Sequence, residues 1–245
     1  MQPTIEICVT DLASAVAAER GGADRVELCV DRPSGGLTPS LGLIAGTVAR
    51  VSIPVHVLIR PRPGEFVVDE DEFDAMARDI RAALATGVAG FVLGITHTDG
   101  SVDAERTRRL VALAGALPVT FHKAIDLAPD PVVAVEILAG IGIARILTAG
   151  GPGPARDHLP SLRAMVERAR GRLAIAIGGE LTLHDLPGIL GTTGATEVHL
   201  GSAVVGEPGP ATPFGSRPGR VEEDRVRRVV ERARGGSSGG VGRLQ

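Results

Sequence analysis

Two short runs of the same pattern decide the fold: Thr-Ile-Glu-Ile-Cys-Val at residues 4–9 and Asp-Arg-Val-Glu-Leu-Cys-Val at residues 24–30. In each run aliphatic residues alternate with a Glu and a Cys. Strand geometry therefore sends the Glu and the Cys to one face and the aliphatic residues to the other. If helices cover the aliphatic face, the carboxylates and thiols point into the interior. Because a buried carboxylate is costly unless it meets a cation, a proton or a metal, the pattern predicts a site or its wall.

The same unit, a short apolar strand followed by a polar loop and a helix, repeats along the chain. The predicted strands cover residues 4–9, 24–30, 54–60, 89–95, 118–123, 144–148, 173–177 and 196–200. The predicted helices cover residues 11–20, 39–51, 69–86, 103–116, 131–140, 155–170, a stretch opening at 182, and 221–234. Eight alternations in 245 residues are typical of an α/β fold, the (β/α)8 or TIM barrel, whose usual length is about 250 residues.

The C-terminal part of the chain is expected to depart from this repeat. Residues 207–219 contain four Pro and three Gly, which predicts a long loop before the last helix. We expect a single barrel domain over residues 1–234. Residues 235–245 are rich in Gly and Ser and predict a disordered tail.

The composition limits the classes of function. Hydrophobic residues make up 44% of the chain, with five Phe and no Trp or Tyr, so we expect the aliphatic core of a parallel sheet. The net charge of −3, with both signs interspersed, offers no basic face to nucleic acid. The N-terminal residues do not resemble a signal peptide, and no run of about 18 apolar residues predicts a membrane span. We therefore expect a cytoplasmic protein with reduced thiols and with no nucleic-acid or membrane partner, and a homo-oligomer is compatible with the sequence.

Polar residues at the carboxyl ends of the strands are the candidates for function, because TIM barrels bind ligands there. Alternation places ten polar residues on the lumen side: Glu6, Cys8, Glu27, Cys29, His56, Arg60, Thr120, His122, Glu197 and His199. Glu27, His122 and Asp126 are candidate general acids and bases, and Arg60 and Lys123 would attract an anion. For any single residue, a structural role in buried ion pairing is an equal alternative. The convergence of the whole set favours function.

Small residues after the last two strands predict an anion site. Gly178 and Gly179 follow the seventh strand, and Gly201 and Ser202 follow the eighth. Such residues expose backbone N–H groups, and TIM barrels commonly bind phosphate at these two loops. The alternative is that a barrel needs Gly wherever a strand turns outward.

The two cysteines have several interpretations. Either residue alone is most simply a small core hydrophobe. Cys8 and Cys29 hold matching positions on strands that lie about 4.8 Å apart, so both sulfurs could bind one soft metal ion. Two thiolates suit Cu(I), whereas Zn(II) would want four ligands, with His56 or His122 recruited. A disulfide is also compatible with the spacing, although a cytoplasmic location argues against it.

Five motifs together resemble the copper homeostasis protein CutC family. They are Ile-Glu-Ile-Cys at 5–8, Gly-Ala-Asp-Arg-Val-Glu-Leu-Cys at 22–29, Gly-Gly-Leu-Thr-Pro-Ser-Leu-Gly at 35–42, Ile-Arg-Pro-Arg at 59–62 and Phe-His-Lys-Ala-Ile-Asp at 121–126. The resemblance extends from about residue 4 to about residue 205. It implies a TIM barrel, a cytoplasmic role in copper handling, and Cys8 and Cys29 as suggested Cu(I) ligands. The family usually shows Phe-His-Arg-Ala-Phe-Asp at the last motif, where this chain has Lys123 and Ile125, and a Lys offers only a point charge to an anion.

Two main hypotheses of function follow, and they leave open whether the protein is an enzyme. The resemblance implies binding or handling of a copper ion. The carboxylates, Arg and His of the predicted site are not ligands that Cu(I) prefers, so the residues by themselves favour an enzyme. Such an enzyme would be of the lyase or isomerase type and would act on a small anionic or phosphorylated metabolite by acid-base chemistry. A third hypothesis is a barrel that has lost its chemistry and serves as a binding protein.

Overall fold

A closed barrel of parallel strands organises the part of the chain that the computed structural model describes, residues 2–213 and 215–235. The eight barrel strands pair in chain order, and β8 returns to β1. They are β1 (Thr4–Val9), β2 (Arg25–Leu28), β3 (Val55–Leu58), β4 (Gly90–Leu93), β5 (Val119–Phe121), β6 (Arg145–Thr148), β7 (Ala174–Ile177) and β8 (Glu197–Leu200). The α-helices are α1 (Leu12–Arg20), α2 (Leu41–Val48), α3 (Glu70–Leu84), α4 (Ala104–Ala114), α5 (Pro131–Gly140), α6 (Leu159–Ala169), α7 (Asp185–Thr193) and α8 (Glu223–Ala233). The predicted TIM barrel is confirmed.

The helix α2 begins two residues later than predicted because Ser40 caps it. The sequence predicts a helix from residue 39, but Ser40 accepts the capping hydrogen bond from the N–H of Leu43. Thr38, before this cap, exchanges hydrogen bonds with the backbone of Arg60, at 2.8 and 3.1 Å. It therefore ties the loop after β2 to the end of β3.

Three other segments also depart from the predicted bounds. A short 3-10 turn over 155–157 precedes α6, so the α-helix begins later than predicted. The helix predicted to open at Thr182 begins at Asp185, because the two side chains bond each other and each other's backbone N–H groups in a turn. Within the predicted loop over 207–219 the chain forms a small antiparallel ribbon of β9 (Ala211–Thr212) and β10 (Gly215–Ser216). The predicted tail lies outside the described residues, apart from Gly235.

The register of the first two strands brings the Glu-x-Cys motifs together with an offset. In β1 and β2 the alternate residues Ile5, Ile7, Val26 and Leu28 are fully buried in the aliphatic core, as the alternation predicts. The pairing sets Glu6 opposite Arg25 and Cys8 opposite Glu27. The two motifs are therefore offset by two residues: Cys8 of the first motif lies beside Glu27 of the second and not beside Cys29.

None of the helices in the described ranges is both long and apolar enough to cross a membrane.

Candidate functional site

Four linked ion-pair residues lie in the lower half of the lumen, and we call them the lower network: Glu6, Arg25, Arg145 and Glu197. Arg25 donates to Glu6 and, at 2.8 Å, to Glu197, and Arg145 donates to the same Glu197 oxygen. Burial by itself would raise the pKa of Glu6, but the Arg25 charge and a hydrogen bond from His199 lower that pKa well below its ordinary value. Glu6 is therefore an ionised counter-ion with its partners in place.

Above the lower network a cavity of about 800 Å³ opens at the carboxyl ends of the strands. We call it the upper cavity. Most of the predicted site residues line it: Cys8, Glu27, Cys29, Arg60, His122, Lys123, Asp126, Gly179, Gly201 and Ser202. His199 lines it as well. The polar residues at the strand ends thus converge on one space.

The two thiols lie together at the floor of the upper cavity. The Sγ atoms of Cys8 and Cys29 are 3.4 Å apart, and the side chains are 6% and 1% exposed. Both cysteines are free thiols, and a disulfide bond would need about 2.05 Å. The hydrogen bond with Cys29, together with burial, raises the pKa of the Cys8 thiol well above its ordinary value. Without a metal ion this thiol stays protonated.

Glu27 and His199 flank Cys8. Glu27 Oε2 is buried and has no hydrogen-bond partner in the described chain. Burial raises the pKa of Glu27 to about 7, against the opposing charge of His199. Burial alone would lower the pKa of His199, but the Glu27 carboxylate and hydrogen bonds to Cys8 and Glu6 raise it well above its ordinary value. The donor atoms of Cys8, Glu27 and His199 all lie within 4.8 Å of one another.

His199 is the residue that sequence reasoning did not place in the site. Alternation predicts that it lies on the lumen side of the eighth strand but gives it no role as a ligand or catalyst. The register that sets Glu6 opposite His199 brings the Nδ1 of His199 to 2.7 Å from Glu6 Oε1. The sequence does contain a signal for His199. This residue lies two residues after Glu197, so alternation places both side chains on the lumen face of β8, the strand that pairs with β1.

The two buried histidines lie over Gly90, the first residue of β4, and Gly94, the residue directly after that strand. A Cβ added at Gly90 would come within 2.7 Å of the His56 ring, and one at Gly94 within 2.5 Å of the His122 ring. Burial lowers the pKa of His56 to about 4, and burial together with the Arg60 charge lowers that of His122 to about 3. Both rings are therefore neutral near pH 7. The structure brings Glu27 and His199, rather than either of these histidines, to Cys8.

Arg60 is held by backbone carbonyls. Its terminal nitrogens donate to Ser34 O at 2.7 Å, Gly36 O at 3.0 Å and Gly64 O at 2.7 Å. The guanidinium therefore fixes the loops after β2 and β3 beside the upper cavity. Direct contact between Arg60 and an anion stays a prediction.

Lys123 faces the upper cavity from the turn after β5. Its Nζ lies 2.6 Å from Asp126 Oδ2, and the side chain is 42% exposed. Asp126 also accepts hydrogen bonds from Thr148 Oγ1 and from the N–H of Ala149 at 3.1 Å. Asp126 is thus fully hydrogen bonded, and it holds the ammonium of Lys123 in place. Its role as an acid or base stays a prediction.

The predicted anion donors divide into two groups. The N–H of Gly178 donates to Thr148 O at 2.9 Å, so the prediction that it presents this group to a ligand is wrong. The N–H groups of Gly179, Gly201 and Ser202 make no hydrogen bond within residues 2–213 and 215–235. Gly179 has φ +121°, and a Cβ there would lie 3.2 Å from Lys123 Nζ and 2.8 Å from a neighbouring methyl group. Three backbone donors and one ammonium therefore border the cavity.

Comparisons with known proteins agree on one family. A model of the CutC family matches residues 3–204. The human protein named copper homeostasis protein cutC homolog is 44% identical over 195 residues, which is 80% of this chain and 71% of that protein. The family protein CutC of Xanthomonas axonopodis pv. citri is 40% identical over 233 residues, which is 93% of this chain and 97% of that protein.

Solved structures give the same family and, at lower identity, the same fold. The crystal structure of a putative copper homeostasis protein CutC from Streptococcus agalactiae has a TM-score of 0.77 and 32% identity, and it covers 82% of this chain and 98% of its own. A phosphoribosylanthranilate isomerase from Thermotoga maritima has a TM-score of 0.61 at 14% identity, covering 95% of this chain and 99% of its own. The second likeness shows the barrel fold alone.

Proposed function

Since this chain belongs to the CutC family, we propose that it takes part in copper handling by binding Cu(I) as cargo through Cys8 and Cys29. The observation that carries the proposal is the 3.4 Å separation of the two Sγ atoms. Both side chains line the upper cavity, through which an ion would reach them. Relatives named for copper homeostasis support the proposal at 44% and 32% identity.

The donor set fits Cu(I) with a small adjustment. Metal–thiolate bonds are about 2.3 Å, so two sulfurs that share an ion lie about 3.7 Å apart when bent and about 4.6 Å apart when linear. The two thiols therefore need to separate by at most roughly 1.2 Å, and a soft ion with two thiolate ligands suits Cu(I). Cu(I) binding displaces the thiol protons. Because the pKa of the Cys8 thiol is raised, the free energy of the metal–sulfur bonds must offset the cost of removing its proton.

Competition against a Cu(I) chelator, under anaerobic and reducing conditions, tests this proposal. The wild-type protein should hold about one equivalent, as one two-thiolate site requires. Cys8→Ser and Cys29→Ser should each abolish that binding. His97→Gln is the matched control, because the His97 imidazole can bind a metal ion but is exposed and does not line the upper cavity. Wild-type affinity in either cysteine variant would place copper binding elsewhere in the protein.

A second candidate function is acid-base catalysis on a small anionic metabolite, by a lyase or isomerase type of reaction. The specific observation in its favour is Glu27 Oε2, which is buried at the wall of an 800 Å³ cavity and has no hydrogen-bond partner among the described residues. A carboxyl with a pKa of about 7 can both give and take a proton near neutral pH. Lys123 and the N–H groups of Gly179, Gly201 and Ser202 would hold the anionic group of the substrate.

Binding of inorganic phosphate, followed by calorimetry, tests this second candidate. Lys123 is the only lysine of the chain, so Lys123→Met removes the single ammonium side chain. We expect that variant to lose most of the affinity, whereas Lys123→Arg, which keeps the charge, should retain part of it. Equal affinity in the wild type and in Lys123→Met would contradict an anion site at this place.

A further inference from the structure

We propose that Cys8, Glu27 and His199 form a binding site for a divalent ion of the Zn(II) class at the floor of the upper cavity. The three donor atoms lie within 4.8 Å of one another. A thiolate, a carboxylate and an imidazole are a donor set that Zn(II) accepts, whereas Cu(I) favours the thiolates. The inference goes beyond the proposed copper function, because it needs Glu27 and His199 and does not need Cys29.

The lower network already orients His199 as a ligand. Its Nδ1 is hydrogen bonded to Glu6 Oε1 at 2.7 Å, so an ion would bind through Nε2 and replace the hydrogen bond between His199 and Cys8. A His that binds a metal usually donates its other ring N–H to a carboxylate, which fixes the ring. Glu6 is itself held by Arg25. The supporting contact for a metal ligand is therefore built into the lumen below the site.

Glu27 gives the second independent observation. Its Oε2 is buried and makes no hydrogen bond to any described residue, although the side chain lies among polar neighbours. An unpaired carboxylate oxygen in the interior is costly, and a bound cation would supply the missing partner. The imidazole nitrogen that faces it, His199 Nδ1, is 3.7 Å away and already bonded to Glu6.

The site has room for an exchangeable fourth ligand. Bonds from Zn(II) to N, O and S are about 2.0–2.3 Å, so the three donors must close by roughly 1 Å to surround an ion. All three side chains line the upper cavity, and the fourth tetrahedral position would open into it. Three protein ligands with one open position are typical of catalytic rather than structural zinc sites. The ligand class is therefore a Zn(II)-type ion that carries a water molecule or a small anion.

Co(II) is the probe that tests the site, since it enters Zn(II) sites and reports their geometry by visible absorption. Titration of the reduced, anaerobic protein with Co(II) should give the visible absorption of four-coordinate Co(II) and a thiolate charge-transfer band. Addition of Zn(II), which displaces Co(II), should remove both absorptions. Glu27→Gln and His199→Gln should each weaken Co(II) binding by at least the 10- to 100-fold that loss of a supporting group costs. Cys29→Ser should leave the Co(II) affinity within about threefold of wild type, a change too small to reflect a lost ligand.

The same variants separate this inference from the copper proposal. Cys29→Ser should lose Cu(I) and keep Co(II), whereas Glu27→Gln should keep Cu(I) and lose Co(II). Cys8→Ser should lose both, and His184→Gln, at an exposed position, should keep both. If His199→Gln fails to fold, the Glu27→Gln result decides the matter. Retention of the Co(II) spectrum in Glu27→Gln, or its loss in Cys29→Ser, would overturn the mixed-donor site and leave the copper proposal standing.

Discussion

Glu6 and Glu27 occupy the same place in the two Glu-x-Cys motifs, and their surroundings are opposite. Glu6 meets Arg25 and His199, and its pKa is lowered. Glu27 lies one layer higher, keeps one oxygen unpaired in the described chain, and has a pKa raised to about 7. The difference comes from the register, which sets Arg25 opposite Glu6 and leaves Glu27 opposite Cys8. The repeated motif thus places a paired carboxylate in the lower half of the lumen and a carboxyl with an unpaired oxygen in the upper half.

Removing an ion pair of the lower network should have the largest effect on the free energy of unfolding. Arg25→Met leaves Glu6 and Glu197 buried without their shared cation, which typically costs about 3–5 kcal/mol of the free energy of unfolding. Urea denaturation at pH 7, followed by circular dichroism, measures the loss.

Arg78→Met provides the matched control for that measurement. Arg78 pairs with Asp74 at 2.8 Å, but the two side chains are 75% and 55% exposed. Exposed pairs contribute about 0–1 kcal/mol, so this variant should stay close to wild type. Similar losses in the two arginine variants would show that the lower network does not stabilise the fold as a buried ion pair.

The barrel and its site differ in how far sequence alone could predict them. Eight strand–helix alternations and the parity of Glu6, Cys8, Glu27 and Cys29 were sufficient for the closed fold and for the inward orientation of these four side chains. The partner of each carboxylate was not predictable, because it depends on the stagger between strands that closing the barrel imposes. That is why His199 was missed.

Two glycines, at the start of β4 and directly after its end, give a signal that could have been used. Gly inside a strand often marks the close approach of another group. Gly90 and Gly94 make room for the rings of His56 and His122. The pattern was visible in the sequence, but which side chain fills each space depends on the pairing of β3, β4 and β5.

The next largest effect concerns protons in the lower half. His56 is 3% exposed and has a pKa lowered to about 4, against about 6.5 in the unfolded chain. As the pH falls from 6.5 to 4, the unfolded chain binds a proton that the folded chain refuses, so wild-type stability falls by up to about 3 kcal/mol from this residue. His56→Gln should lose less stability over that range. Urea denaturation at pH 7, 6 and 5 gives the two slopes.

His184→Gln is the control for that pH series, because His184 is exposed on the approach to α7. Its stability should follow the wild-type dependence on pH. If the His56→Gln and wild-type curves run parallel between pH 7 and 5, the folded protein binds a proton at His56 as readily as the unfolded chain does, and burial does not lower the pKa of this ring.

The smallest effect on stability should come from Glu27→Gln, which tests the difference between Glu27 and Glu6 directly. Glu27 has an unpaired oxygen, and its charged partner is His199 at 3.7 Å rather than an Arg or Lys of the described residues, so the amide removes a long ion pair and no hydrogen bond of Oε2. Its pKa of about 7 also means that the carboxyl is partly protonated at pH 7, a form that Gln resembles. We expect the free energy of unfolding to change by less than about 1 kcal/mol.

The same substitution at Glu6 removes a buried charged hydrogen bond and should cost more, about 1.5–3 kcal/mol. Both variants are measured by urea denaturation at pH 7. Equal losses would mean that a partner also binds Glu27 in solution, and the upper cavity would then be as fully paired as the network below it.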